Sequence, residues 1–270
     1  MAMQLIFLGC GDEHGVPRIG CDCEVCRSAL SPDSYNARTG PSVALRYGPS
    51  YAERLVLIDV ALEFRLQATH RGIKQIDALL LTHIHDAHVL GLSTLLAAQR
   101  EAARPLPIYA PAQVMEDAEV RFAHLWNDKT YRRILQPHVI HGSLDLWGAK
   151  VQPLRIDHGL GGTAYAYLLE FGQRRLAYVS DMLRATGEAR QALKDLDLLV
   201  LGASHYYEGI EMWKRSLMDV MAAQELIQEL SPAQAVLTHM SHTVDYAQVS
   251  DRVSPPIRLA YDGLVVEVYE

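Results

Sequence analysis

Residues 79–92 read LLLTHIHDAHVLGL, an apolar run that turns abruptly into potential metal ligands at His83, His85, Asp86 and His88. The leucines suit a buried strand. His83 and His85 follow it in alternate positions, a spacing that aims both imidazoles to one side of the strand terminus. His88 falls where the next helix begins. Ala87 stands directly before it, where a carboxylate would best serve a second ion.

Other strand ends repeat the pattern. Asp59 closes LVLID, His158 closes VQPLRIDH, Asp181 closes RLAYVSD and His239 closes QAVLTH. Histidine suits zinc and iron, and a carboxylate can bridge two ions. Open α/β folds gather their sites beyond strand termini, so these residues are expected to converge on one cleft.

The segments between them fix the fold class. Strands are expected at residues 3–9, 42–47, 55–59, 78–81 and 106–109, several apolar throughout, as strands buried on both faces are. Helices are expected at 63–71, 91–103 and 112–125. The second half repeats the theme with strands at 150–156, 164–171, 175–180, 198–201, 235–238 and 264–268, and helices at 185–194 and 217–230. No low-complexity run or polar linker divides them. The reading is α/β: one domain over residues 1–270, built from two α/β halves of about 1–145 and 146–270, with sheets packed inside helices.

Composition constrains partners. With 25 basic and 32 acidic residues the formal charge is −7, and 49% of the chain is hydrophobic. No global positive field gathers nucleic acid or an anionic membrane. No apolar stretch reaches spanning length and no secretory leader is legible, so a cytoplasmic protein is expected.

The four cysteines, Cys10, Cys21, Cys23 and Cys26, all lie near the start of the chain. Cys-x-Cys-x-x-Cys is crowded for disulfides and better suited to thiolate ligation. Cys10, between two glycines, reads as a small residue at a strand end.

Taken in order, GCGDEHGVPRIGCDCEVC, LVLIDVALEFRLQ, LLLTHIHDAHVLGL, the spaced DH and YVSD, VLTHMSH and LAYDGLVVEV resemble the metallo-β-lactamase superfamily, whose signature is His-x-His-x-Asp-His after a strand. More narrowly they resemble the branch containing the cyclic-phosphate phosphodiesterase of phosphonate-degradation (carbon–phosphorus lyase) operons. The resemblance implies a four-layer αββα sandwich. It implies a first metal on His83, His85, His158 and Asp181, and a second on His88, Asp181 and His239, with Ala87 replacing the second ion's carboxylate. It also supplies His242 as the fourth ligand of a structural zinc on Cys21, Cys23 and Cys26. Asp59, Asp86 and Asp262 are assigned to supporting the ligands, Asp86 as a helix cap. One or two zinc, manganese or iron ions are expected in the active site.

The implied activity is hydrolysis of a small phosphodiester, such as a cyclic phosphate or nucleotide, with Asp181 and Lys214 in catalytic positions. Lys214 stands where relatives carry a histidine before the helix preceding LTH, and His205 matches a different position. Arg18, Lys214, Arg215 and Tyr207 are candidate substrate contacts. Two other readings remain: a mononuclear iron oxygenase on the same scaffold, and a catalytically reduced metal-binding or regulatory protein. A ribonuclease fits poorly, because the chain lacks a basic arm. Relatives suggest a homodimer.

Overall fold

A computed structural model of the protein describes residues 3–31 and 33–268. The first sheet contains β1 (Met3–Gly9), β2 (Ser42–Tyr47), β3 (Arg54–Ile58), β4 (Ala78–Leu80), β5 (Leu106–Ala110) and β6 (Leu135–Val139). The second contains β7 (Leu144–Leu146), β8 (Ala149–Asp157), β9 (Thr163–Phe171), β10 (Arg174–Val179), β11 (Leu198–Gly202), β12 (Ala235–Thr238) and β13 (Ile257–Leu259). The last strand, β14 (Val265–Val268), returns to the first sheet and pairs antiparallel with β1. The strand orders are β14-β1-β2-β3-β4-β5-β6 and β13-β12-β11-β10-β9-β8-β7.

Each sheet is antiparallel on one side and parallel on the other, the change falling at β3 and at β10. The inner strands carry both faces in apolar surroundings. In β1, Leu5 and Phe7 join the core between the sheets, while Ile6 and Leu8 face the helices outside. Helices Leu92–Glu101 and Ala112–Arg121 cover the first sheet, and Val220–Leu230 covers the second. This is the αββα sandwich. Two tyrosines fasten its halves without leaving a buried hydroxyl unpaired: Tyr47 Oη donates to Leu146 O at 2.8 Å and Tyr167 Oη to Leu81 O at 2.7 Å.

Three strands escape the sequence reading, and all are sheet edges. The β6 segment LQPHV has four exposed positions and a proline, while β7 and β13 have three residues each; edges need no continuous apolar run. The expected helix at 112–125 breaks at Phe122, whose ψ of 31° separates Ala112–Arg121 from Ala123–Trp126. The one expected from residue 217 starts at Val220, because the Asp219 side chain accepts the Ala222 amide at 2.8 Å as an N-cap. No helix among the described residues is long and apolar enough to cross a membrane.

Candidate metal centre

The ends of β3, β4, β8, β10 and β12 bring the expected residues to one place. Asp59 follows β3, His83 and His85 follow β4, His158 follows β8, Asp181 lies just past β10, and His239 follows β12. Asp59 and His239 both turn off their strands with φ of 60°, a left-handed conformation that costs a non-glycine residue about 1–2 kcal/mol. Gly202, at the end of β11, allows Asp181 and His239 to meet across it. A Cβ there would lie 1.6 Å from Ser180 O and 3.5 Å from His239 Cβ.

Asp59 organises the histidines from behind. Its Oδ1 accepts the Thr82 amide at 2.9 Å, and its Oδ2 accepts the Thr82 hydroxyl at 2.8 Å and His88 Nδ1 at 2.7 Å. A carboxylate only accepts, so His88 carries its proton on Nδ1 and presents Nε2 forward. The Thr82 hydroxyl, having donated to Asp59, accepts from His83 Nδ1 at 2.9 Å, which leaves His83 Nε2 as a lone pair. His158 Nδ1 donates to Ser216 O at 2.7 Å, and its Nε2 is likewise bare. Thr82 is the orienting residue that sequence reading passed over, although it directly precedes His83.

These lone pairs converge. His85 Nδ1 lies 3.1 Å from His83 Nε2 and 3.2 Å from His158 Nε2. One proton cannot satisfy three nitrogens, whereas ligands at zinc–nitrogen distances in a tetrahedral set stand about 3.3 Å apart. On the other side, Asp181 Oδ2 is 3.1 Å from His88 Nε2 and Asp181 Oδ1 is 3.3 Å from His239 Nε2. Two donor groups thus come together, His83, His85 and His158 on one side and His83, His88 and Asp181 on the other, with His239 Nε2 against Asp181.

Electrostatics agree. Burial pushes the His83 and His85 pKa values down, so these rings are neutral donors. Burial would also lower His88, but Asp181 and Asp59 on either side hold it up at about 10. Asp181 is buried, which alone would raise its pKa; His239 and His88 instead hold it well below the usual carboxylate range.

Ala87 lines the cavity in front of this second set and supplies only a methyl group. Asp86 does not compensate, and it does not cap the helix as expected. The N-cap position of Asp86–Val89 belongs to His85, and the Asp86 carboxylate turns outward to pair with Arg121. Asp262 is also placed differently. It accepts the Cys10 amide at 3.0 Å, the Thr39 amide at 2.8 Å and the Thr39 hydroxyl at 2.6 Å. It makes no hydrogen bond to a histidine of the centre among the described residues, so it fixes the loop rather than the ligands.

A cavity of about 520 Å³ opens beside the histidines, and Arg18, Lys214 and Arg215 reach its wall. Lys214 Nζ is paired to Glu211 at 2.7 Å. Arg215, expected as a substrate contact, is held by Asp219 at 3.0 Å and by the carbonyls of Glu208 and Ile210. Arg18 pairs with Asp12. Tyr207 is 66% exposed and does not line the cavity.

A second group of donors lies in the N-terminal loop. The Sγ atoms of Cys21, Cys23 and Cys26 lie 3.3, 3.5 and 3.7 Å from His242 Nδ1. Tetrahedral zinc at usual bond lengths separates sulfur from nitrogen by about 3.6 Å. Backbone amides support the thiolates: Cys26 N–H donates to Cys23 Sγ and Arg18 N–H to Cys26 Sγ, both at 3.4 Å. The Cys26 amide lowers the Cys23 thiol to about 6, while burial raises Cys26 to about 11. Buried Arg38 secures the His242 turn by donating to Ser241 O at 3.1 Å and Val244 O at 2.9 Å. Cys10 is buried away from this group, with its Sγ 3.3 Å from Asp262.

The chain belongs to the family described as the β-lactamase superfamily domain, whose model matches residues 54–240. Its fold is of the metallo-β-lactamase type, with histidines and a carboxylate grouped as they would be to hold metal. A diphosphatase of the PhnP family is 30% identical with a TM-score of 0.85, covering 99% of this chain and 98% of that one. An octanoyltransferase of Porphyromonas gingivalis is 31% identical over 97% of this chain and 51% of its own, so this chain spans about half the length of that relative. Coenzyme PQQ synthesis protein B of Methylobacterium nodulans is 30% identical over 73% of this chain and 72% of its own.

Proposed function

We propose that the chain hydrolyses a small phosphodiester or phosphoanhydride, with a complete first metal site and a weakened second one. The carrying observation is a cluster of five imidazoles and one buried carboxylate, with His88 and His239 against Asp181 and His83, His85 and His158 grouped beside it, in a cavity bordered by Arg18, Lys214 and Arg215. The similarity to a diphosphatase supports phosphorus chemistry in particular.

In this reading His83, His85, His158 and Asp181 hold the first metal, and His88, Asp181 and His239 the second. A bound divalent ion supplies Lewis-acid polarisation of a phosphoryl oxygen and lowers the pKa of water. The protein's own groups do the rest. Asp59 and the Ser216 carbonyl fix which ring nitrogens face forward, and Asp181 brings one negative charge to both sites. Loss of a carboxylate at Ala87 lowers affinity at the second site. The cysteine set with His242 holds zinc and ties the N-terminal loop to the turn after β12.

Elemental analysis of the purified protein, combined with a panel of phosphodiesters and diphosphates, tests this reading. The expected result is one zinc at the cysteines, one tightly bound active-site metal, and turnover that increases with added metal. Ala87→Asp is expected to fill the second active-site position. Full occupancy of both positions in the unmodified protein would refute the weakened site. Absence of turnover under every metal loading would refute the hydrolase.

A further inference from the structure

One more imidazole borders the cavity and takes no part in the metal assignment. His205, three residues beyond β11, lines the same cavity as His85, His158, Asp181 and His239. Its Nδ1 lies 2.8 Å from Thr243 Oγ1 and 3.2 Å from Ser241 Oγ, and those hydroxyls are 2.8 Å apart. Ser241 and Thr243 flank His242, so the ring is tethered to the turn that the cysteine set and Arg38 hold. Its Nε2 has no hydrogen-bond partner among the described residues.

The tether engages only one of the two ring nitrogens. With Thr243 or Ser241 accepting from Nδ1, Nε2 is left free to carry or release a proton, which a group that exchanges a proton there requires. The other basic groups at the cavity wall fit this task poorly. Arg215 does not give up a proton and is fully engaged, and Lys214 is paired with Glu211.

We propose that His205 protonates the leaving group, an assignment that rests on the hydrolase reading above. Water contributes a hydroxyl to phosphorus as the phosphorus–oxygen bond to the leaving group breaks. The electron pair of that bond stays with the departing oxygen, which takes the proton from His205 Nε2. The ring is left neutral, with its remaining proton on Nδ1 donated to Thr243. The proton released by the attacking water restores the cation through solvent.

The test compares methyl p-nitrophenyl phosphate, whose leaving group departs readily as an anion, with methyl phenyl phosphate, whose poorer leaving group needs a proton. In the metal-loaded protein, His205→Gln is expected to lower the ratio of kcat on the phenyl ester to kcat on the nitrophenyl ester by about 10²-fold or more, the scale of general acid catalysis. Thr243→Val is expected to lower it in the same direction by a smaller factor. Equal losses on both esters in His205→Gln would mean a structural role and overturn the proposal, as would an unchanged ratio. A parent protein that hydrolyses the nitrophenyl ester but fails on the phenyl ester already lacks a proton donor, and overturns it too. A parent inactive on both esters brings down the hydrolase reading, and this proposal with it.

Discussion

Replacing Asp59 by asparagine changes one oxygen to an amide nitrogen and should disturb both active-site positions. The asparagine oxygen takes the place of Oδ1, because it must still accept the Thr82 amide at 2.9 Å. The NH2 group then occupies the place of Oδ2 and faces His88 Nδ1 at 2.7 Å and Thr82 Oγ1 at 2.8 Å. Two donors cannot face each other, so His88 moves its proton to Nε2, the nitrogen that should bind metal. Thr82, now receiving a hydrogen bond, turns its own proton toward His83 Nδ1 and shifts that ring in the same way. Returning each ring to its binding form leaves a buried donor unsatisfied, at about 1–3 kcal/mol. That corresponds to roughly 10- to 100-fold in metal affinity, the usual effect of disturbing a ligand's hydrogen-bond partner. Competition titration with a chelator measures the affinities, and nitrogen NMR of the imidazoles reports the tautomers. Asp59→Asn binding metal as tightly as the parent, with protons still on Nδ1, would refute the reasoning.

Gly161→Ala should injure the first site without unfolding the chain. A Cβ there would lie 2.1 Å from His158 Cδ2 and Nε2, and the ring can swing away only by giving up Ser216; first-site affinity should fall about 10-fold or more, while the melting temperature of the metal-free protein stays close to the parent's. Cys26→Ser should remove the zinc proposed for the N-terminal loop and cost on the order of 3–4 kcal/mol, seen as a melting temperature lower by roughly 10 °C; a parental melt with one metal fewer would count against a structural role. Asp197 is partly buried, which alone would raise its pKa, but the Arg175 amide and the Arg174 guanidinium together hold it below the usual value. A lowered folded pKa contributes stability above the unfolded carboxylate value of about 3.9 and loses it as pH falls through the folded value. Thermal melts of Asp197→Asn should therefore differ from the parent near neutral pH and converge with it in strong acid; a gap that persists in acid would contradict this.

The centre was legible in the sequence because its residues follow buried strands. LLL before His83, RLAYV before Ser180 and Asp181, and QAVLT before His239 are strong local signals, and the parallel arrangement brings their ends together. What could not be read depends on partners distant in sequence. Asp86 has the local properties of a cap, but Arg121 in another helix draws it outward. Asp262 resembles a ligand support until Cys10 and Thr39 are placed against it. His205 gains its meaning only when the turn after β12 brings Thr243 to 2.8 Å. The β6, β7 and β13 edges carried too little apolar pattern to be recognised.

Pairing of β14 with β1, Met3 opposite Val268, means that the two sheets are not two consecutive lengths of chain. During synthesis the outer edge of β1 stays uncovered until residues 265–268 leave the ribosome, by which time the whole second sheet has been made. An uncovered edge is a template for unwanted strand pairing, so the assembly has a long vulnerable interval that ends with its final strand. Severing the chain between β6 and β7 would give one piece with an open edge and another with an unpaired strand. Co-expressed, those pieces have reason to find each other, because β14 fits only the strand it was made to cover.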